Sequence, residues 1–368
     1  MKITNHPSSF IKENFSSVNL KNKTSTSLPK TQNKKILPSN NYISDKKTLI
    51  KPVSPTYTWP SEEFPFREYF SDEKLTILII ECVIHNLSWI RQYKEKITNK
   101  HFFFVTITWH HEWILWKETN EIFKECNLNK NNFYFLCNSQ KEFEIMLAYG
   151  FRGQIINNNA WLDENLYSIL DIDKKYNALL IARRSDFKRH YLASKVENLA
   201  LISKGHAYDQ CHENLIIPPH VYDNESPLNT NQVVQKINES HVGLCLSSFE
   251  GACFASSEYL LCGIPVVSTK SVGGRDFWYD NYNSIICEDT EDSVAEAVNY
   301  FLKNKRDPEI IRSRHIEKAS QQRSLFIQVL QKTFFDYDIS LNASEYYKKH
   351  FINKLKKIYK PDYNKIFS

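Results

Sequence analysis

From Lys74 onward the chain alternates short apolar runs with amphipathic stretches. Leu75–Val83 (LTILIIECV), His101–Trp109 (HFFFVTITW), Phe133–Cys137 and Phe151–Ile156 are continuous apolar runs, the pattern of strands buried on both faces. Between them, residues 86–98, residues 111–126 (with Trp113, Leu115, Trp116 and Ile122) and Ser139–Tyr149 have helical spacing, the last stopped by Gly150. The same alternation returns with strands at Ala178–Ala182, Val242–Leu246 and Ile264–Ser268, and a helix over Ala252–Cys262 that ends at Gly263. Alternation of this kind predicts an α/β fold of parallel sheets with covering helices. The C-terminal part reads as helical: Ser293–Lys303, one or two long helices over Ile310–Phe335, and Ala343–Tyr359. The last carries Tyr347, Phe351, Leu355 and Ile358 on one face and Lys348, Lys349, Lys354, Lys356 and Lys357 elsewhere.

Composition separates the first 65 residues from the others. They are rich in Asn, Ser, Thr, Lys and Pro, and nine lysines against Glu13 and Asp45 give residues 1–50 a charge of +7. The whole chain carries +5, so the remainder is slightly acidic. Such a segment buries too little apolar surface to offset its ordering entropy, so a disordered basic leader is expected. Contact with anionic lipid and a secretion signal are the other readings. A leader without arginine or interleaved aromatics argues against nucleic acid. No apolar run is long enough to span a bilayer, and the N-terminus lacks a signal-peptide core. The eight cysteines read as reduced, cytoplasmic thiols without disulfides or metal spacing.

One segment carries candidate chemistry: HVGLCLSSFEGACFASSEYLLCGIPVVSTKSVGGRDFW, residues 241–278. It reads as strand, loop, helix, strand, a parallel crossover. Glu250 lies in the loop and Glu258 about two helical turns further on. That loop faces the carboxyl ends of the strands, where open α/β sheets bind ligands, and the first helical turn offers backbone N–H groups to an anion.

This arrangement resembles the donor-site signature of retaining glycosyltransferases built from two Rossmann-like domains, the GT-B type. That family pairs two glutamates with seven residues between them, as Glu250 and Glu258 do, continues into Gly-Ile-Pro-Val-Val-Ser (Gly263–Ser268), and later has a Gly-Gly turn (Gly273–Gly274). The resemblance implies that Glu258 holds ribose hydroxyls and Glu250 hydroxyls of the transferred sugar, with Gly251, Ala252, Cys253 and Gly274 lining the donor. The family's Gly-Arg and following Lys stand here as Ala182-Arg183 and Lys188, expected to straddle the diphosphate. The plain alternatives are an ordinary crossover with two exposed glutamates and a solvated basic helix start. Arg275 and Asp276 read equally as cleft residues or as a structural pair.

The resemblance extends to residues 137–167, where Asn138, Ser139 and Asn157–Asn159 match the passage from acceptor domain to linker. The expected organisation is a leader at 1–65, a small acceptor domain at 70–172, a donor domain at 173–335, and a helical C-terminus at 336–368. That C-terminal helix either packs back on the first domain or lies on a membrane surface. The family's glycine-rich loop after the first strand is replaced by CVIHNLSW. Relatives take a catalytic histidine from the first domain, and His111, His110 and His85 follow its strands, though each also fits a polar loop position. The implied reaction moves a hexose-type sugar from a nucleotide diphosphate sugar, with retention and without metal or cofactor. The implied acceptor is a glycan, a lipid-linked glycan or a protein, and the implied place is the cytoplasm or the inner membrane surface. A sugar-nucleotide epimerase, a phosphorylase and a non-catalytic scaffold of the same fold are the alternatives.

Overall fold

The structure, a computed structural model, describes residues 67–204, 215–355 and 362–368. The leader expected at 1–65 lies outside them. The first sheet has five strands in the order β1 (Arg67–Ser71), β2 (Thr76–Glu81), β3 (His101–Thr106), β4 (Phe133–Cys137) and β5 (Gly153–Ile155). Strands β2 to β5 are parallel. β1 runs antiparallel at the edge, and its polar Arg-Glu-Tyr-Phe-Ser sequence gives no strand signal of its own. The connecting helices are α1 (Leu87–Tyr93), α2 (Trp113–Glu125) and α3 (Gln140–Ala148).

These strands are added in sequence order, and parallel crossovers keep one hand, so all three helices fall on one face. There Trp89, Trp116, Phe123 and Met146 pack on Leu78, Phe103 and Phe135. The opposite face, with Ile77, Ile79, Phe102 and Phe104, must be covered from elsewhere.

The second sheet has six parallel strands: β6 (Tyr176–Ile181), β7 (Leu199–Ile202), β8 (Tyr222–Asp223), β9 (Ser240–Cys245), and, after the short β10 (Phe249–Glu250), β11 (Val266–Thr269) and β13 (Ser284–Cys287). β12 (Val272–Gly273) pairs only with β10. The order β13-β11-β9-β6-β7-β8 reverses direction between β6 and β9, the switch point of a Rossmann sheet. Its helices are α4 (Thr230–Asn238), α5 (Phe254–Leu261) and α6 (Glu291–Lys303).

A single 29-residue helix, α7 (Pro308–Asp336), joins the two halves. Asp307 caps it and Pro308 starts it. Its first part buries Ile311 and Ala319 against the second sheet. Its last part lays Phe326, Leu330 and Phe334 on the open face of the first. α8 (Ala343–His350) completes that cover, and α9 (Tyr363–Ile366) sends Tyr363, Ile366 and Phe367 into the core on the other side. The C-terminus therefore does pack back on the first domain.

Two expected helices are corrected. No α-helix follows Arg183. Two single 3-10 turns stand there, Asp186–Lys188 and His190–Ala193, broken at Arg189 with φ 51°. The Arg189 side chain is drawn over the sheet ends to Leu246 O and Thr269 Oγ1, which fixes the break. The last helix stops at His350 rather than Tyr359. Phe351 is extended, and Lys354 and Leu355 turn left-handed (φ 57° and 53°) so that Leu355 enters the core and Lys354 turns toward α5. Lys354 thus leaves the basic outer face on which the spacing placed it.

Candidate active site

The carboxyl ends of β6 and β9 enclose a pocket lined by Leu180, Ile181, Ala182, Lys188, Leu244, Cys245, Leu246, Ser247, Glu250 and Cys253. It sits at the switch point, where the fold places ligands. Glu250 ends β10, which the parallel pairing with Val272–Gly273 holds in place. A Cβ on Gly273, at φ 122°, would lie 1.6 Å from Glu250 O, so only glycine allows this pairing.

Lys188 hydrogen-bonds Glu250 Oε1, with side chains only 16% and 7% exposed. Burial alone would raise the Glu250 carboxyl. The Lys188 ammonium, the Ser247 hydroxyl and Arg275 outweigh it and hold Glu250 below the usual carboxylate value. Arg183 and Lys188 both lie over the Phe187 ring, 5.3 and 5.0 Å from its centroid. Arg184 is committed elsewhere, to Asp223 at 2.9 Å and Ser203 at 3.1 Å. The solvated basic helix start of the plain alternative is absent, since no α-helix follows Arg183, and the positive character here comes from side chains. Cys245 and Cys253 both line the pocket wall.

Glu258 lies in α5, 5% exposed. Its Oε1 accepts from Tyr167 OH at 3.0 Å and from Lys354 Nζ at 2.5 Å. Neither glutamate is the exposed carboxylate of the plain alternative. Burial drives the Lys354 ammonium downward, but Glu258 and Tyr167 outweigh it and the net shift is upward. Lys354 also lies over the rings of Tyr167 and Phe254. Sequence reasoning missed this lysine, because the turn that delivers it is a tertiary feature.

Arg275 is structural. Fully buried, it donates to Cys245 O, Ser247 O and Thr269 O and pairs with Asp276, tying the ends of β9 and β11 together.

The segments after β3 and β4 of the first domain lie directly against those after β10 and β12 of the second. A Cβ on Gly251 would lie 2.5 Å from Thr108 O, and one on Gly274 2.4 Å from Asn138 Cβ. Trp109 meets Phe187 and Phe249 edge-on or tilted, at 5.2 and 5.3 Å. The Asn157–Asn159 turn staples the two halves. Asn157 donates to Asn138 O and Gly274 O, Asn158 to Ile107 O, and Asn159 to Ala252 O, Cys253 O and Ser257 Oγ.

The three histidines separate clearly. His110 Nδ1 meets Glu142 Oε1 at 3.1 Å, its ring lies 5.3 Å from Phe249, and its buried Nε2 has no partner. His111 bonds Trp109 O through Nδ1 at 2.7 Å, and burial drives its pKa down to about 3. It is a neutral packing residue against Trp116. His85 lies 3.3 Å from Glu81, and a nitrogen of its ring, the Cys82 Sγ and a Glu81 oxygen converge within 4.8 Å. That convergence corrects the reading that no cysteine has metal spacing, since Cys82-Val-Ile-His85 brings thiol and imidazole together at the end of β2. Two Asp-x-Asp triplets, Asp171–Asp173 and Asp336–Asp338, stand outside the pocket; Asp336 pairs with Lys332 and Asp338 with Lys74.

Residues 226–322 match the family described as glycosyl transferases group 1. No curated protein matches the chain. Among solved structures it is similar to Anabaena Alr3699/HepE in complex with UDP, at 15% identity over 63% of this chain and 72% of that one, with a TM-score of 0.48. TarM is similar at 15% identity, over 69% and 54% of the two chains, with a TM-score of 0.49. Sucrose-phosphate synthase from Thermosynechococcus elongatus is similar at 12% identity, over 71% and 74%, with a TM-score of 0.49. The matched residues hold both glutamates, Glu250 and Glu258, and the part of the pocket wall from Leu244 to Cys253, so that segment of the second domain is similar to the glycosyl transferases of group 1.

Proposed function

We propose that the protein transfers a hexose-type sugar from a nucleotide diphosphate sugar to an acceptor hydroxyl, with retention at the anomeric carbon. The observation that carries this reading is the Lys188–Glu250 pair in the pocket at the switch point of the second sheet, with Arg183 beside Lys188 over the Phe187 ring. A diphosphate entering there would draw Lys188 from Glu250. That exchange frees the carboxylate for ring hydroxyls and sets two cations on the leaving group, where negative charge grows as the anomeric C–O bond breaks. Ribose hydroxyls would meet Glu258 at the other end of the same crossover. The acceptor oxygen attacks from the leaving-group side and its proton passes to the departing phosphate.

His110 is the histidine best placed to touch the reacting sugar. Glu142 holds its Nδ1, and its Nε2 is left as an acceptor beside Phe249, next to Glu250 in sequence. A glycan or lipid-linked glycan is the favoured acceptor class. The exposed Lys348 and Lys349 of α8 suit a peripheral contact with anionic lipid, and among the described residues no helix is long and apolar enough to cross a membrane.

The test is a panel of nucleotide sugars, read by thermal stabilisation and by hydrolysis. A ligand at a hundred times its Kd adds about 2.7 kcal/mol of stability. The matching nucleoside diphosphate is expected to bind without added Mg²⁺ or Mn²⁺, and Lys188→Met to abolish binding. If no nucleotide sugar stabilises the protein, the scaffold reading replaces this one.

A further inference from the structure

The geometry points to a Zn²⁺ site on the first domain, built from Glu81, Cys82 and His85 at the carboxyl end of β2. The three residues are 4%, 0% and 8% exposed. One ligand atom from each lies within 4.8 Å of the others, and His85 Nδ1 is 3.3 Å from Glu81 Oε1. Zinc bonds of about 2.0–2.3 Å in a tetrahedron separate ligand atoms by about 3.3–3.8 Å, so closure by roughly 1 Å would complete the site. One thiolate, one imidazole and one carboxylate form a donor set suited to zinc rather than to magnesium or calcium, and three protein ligands leave the fourth position for water.

A second observation concerns charge. The first domain buries another glutamate nearby, Glu142, and satisfies it fully. Glu142 accepts the backbone N–H groups of Asn138 and His111 and meets His110. Glu81 has no such cradle. Within the described residues its side-chain contacts are the Thr108 hydroxyl and His85, with no lysine or arginine at ion-pair distance. An enclosed carboxylate without a fixed cation is costly, and a divalent ion would offset that cost. The backbone agrees: Cys82 sits at φ 34°, a conformation non-glycine residues avoid, and this turns its sulfur toward Thr108. On binding, the Cys82 S–H proton goes to solvent and the thiolate takes its place on the metal.

The site would brace the segment that touches the donor loop. Thr108 bonds Glu81 through its hydroxyl and abuts Gly251 through its carbonyl. Metal binding itself does not depend on the transferase reading, and failure of either leaves the other standing.

The experiment uses the full chain without a metal-binding tag. Elemental analysis is expected to find one zinc per chain, and Co²⁺ replacement to give a near-ultraviolet sulfur-to-cobalt band. Cys82→Ser should remove that band. Glu81→Gln and His85→Gln should each weaken Zn²⁺ at least as much as the roughly 10–100-fold typical of losing an outer-shell partner. A chain that takes up neither metal, or a cobalt band unchanged in Cys82→Ser, overturns the proposal. Should Cys82→Ser not fold, unchanged Zn²⁺ affinity in both other variants overturns it equally.

Discussion

Replacing Glu258 by Gln tests the donor assignment and the C-terminal turn together. The substitution keeps the shape and the acceptor for Tyr167 but strands the Lys354 ammonium, whose side chain is only 17% exposed. Breaking a buried pair by neutralising one partner costs about 3–5 kcal/mol. At about 2–4 °C per kcal/mol for a domain of this class, the melting temperature should fall by roughly 6–20 °C. Lys354→Met alone should cost a comparable amount, because it strands Glu258. In the double variant no charge is stranded, so its loss should fall short of the sum by about 1–3 kcal/mol. Donor binding divides differently. Losing a charge-assisted hydrogen bond to ribose costs about 1.5–3 kcal/mol, or roughly tenfold to 150-fold in affinity, in Glu258→Gln. Lys354→Met keeps the carboxylate and removes its competitor, so it should bind nucleotide at least as well as the parent. Denaturant unfolding gives the cycle and calorimetry the affinities. Additivity within about 0.5 kcal/mol would refute the pair, and unchanged nucleotide affinity in Glu258→Gln would refute the role of Glu258.

Three further outcomes follow from the packing. His315 is buried against Trp278, with neither ring nitrogen partnered, and burial drives its pKa to about 3. The unfolded chain takes up that proton near pH 6.5, so the stability this histidine gives at neutral pH is lost as pH falls from there toward 3; His315→Phe should recover about 2 kcal/mol of the loss between pH 7.5 and pH 5, read by unfolding at both. Gly273→Ala puts a methyl group against Glu250 O and should abolish nucleotide binding and destabilise the fold by about 3 kcal/mol or more, measured by calorimetry and melting; parental affinity would show that the β10–β12 pairing does not set Glu250. A chain beginning near Pro60 keeps β1 and should retain its melting temperature and donor hydrolysis, and loss of either would put the leader in the fold.

Short-range chemistry wrote much of this protein. Apolar runs marked most of the parallel strands, though not β7, β8 or β13, Ser139 and Gly150 fixed the ends of α3, and Gly263 at φ 73° closed α5 where its sequence says it should. Lys188 and Glu250, picked out by their spacing, do line the pocket at the ends of β6 and β9, and the Gly-Gly turn meets the local demand of a tight approach to Glu250. What the sequence could not state is what those groups touch. Lys188 on Glu250 and Lys354 on Glu258 are contacts across 62 and 96 positions, the first set by how the second sheet folds and the second by how the C-terminal segment turns back toward α5. The polar β1 becomes a strand only because β2 offers it an edge. The C-terminal helix ends at His350 because burying Leu355 and pairing Lys354 outweigh helical spacing that would carry on to Tyr359. Local pattern chose the elements, while burial and charge pairing between distant segments chose the partners and the roles of the three histidines.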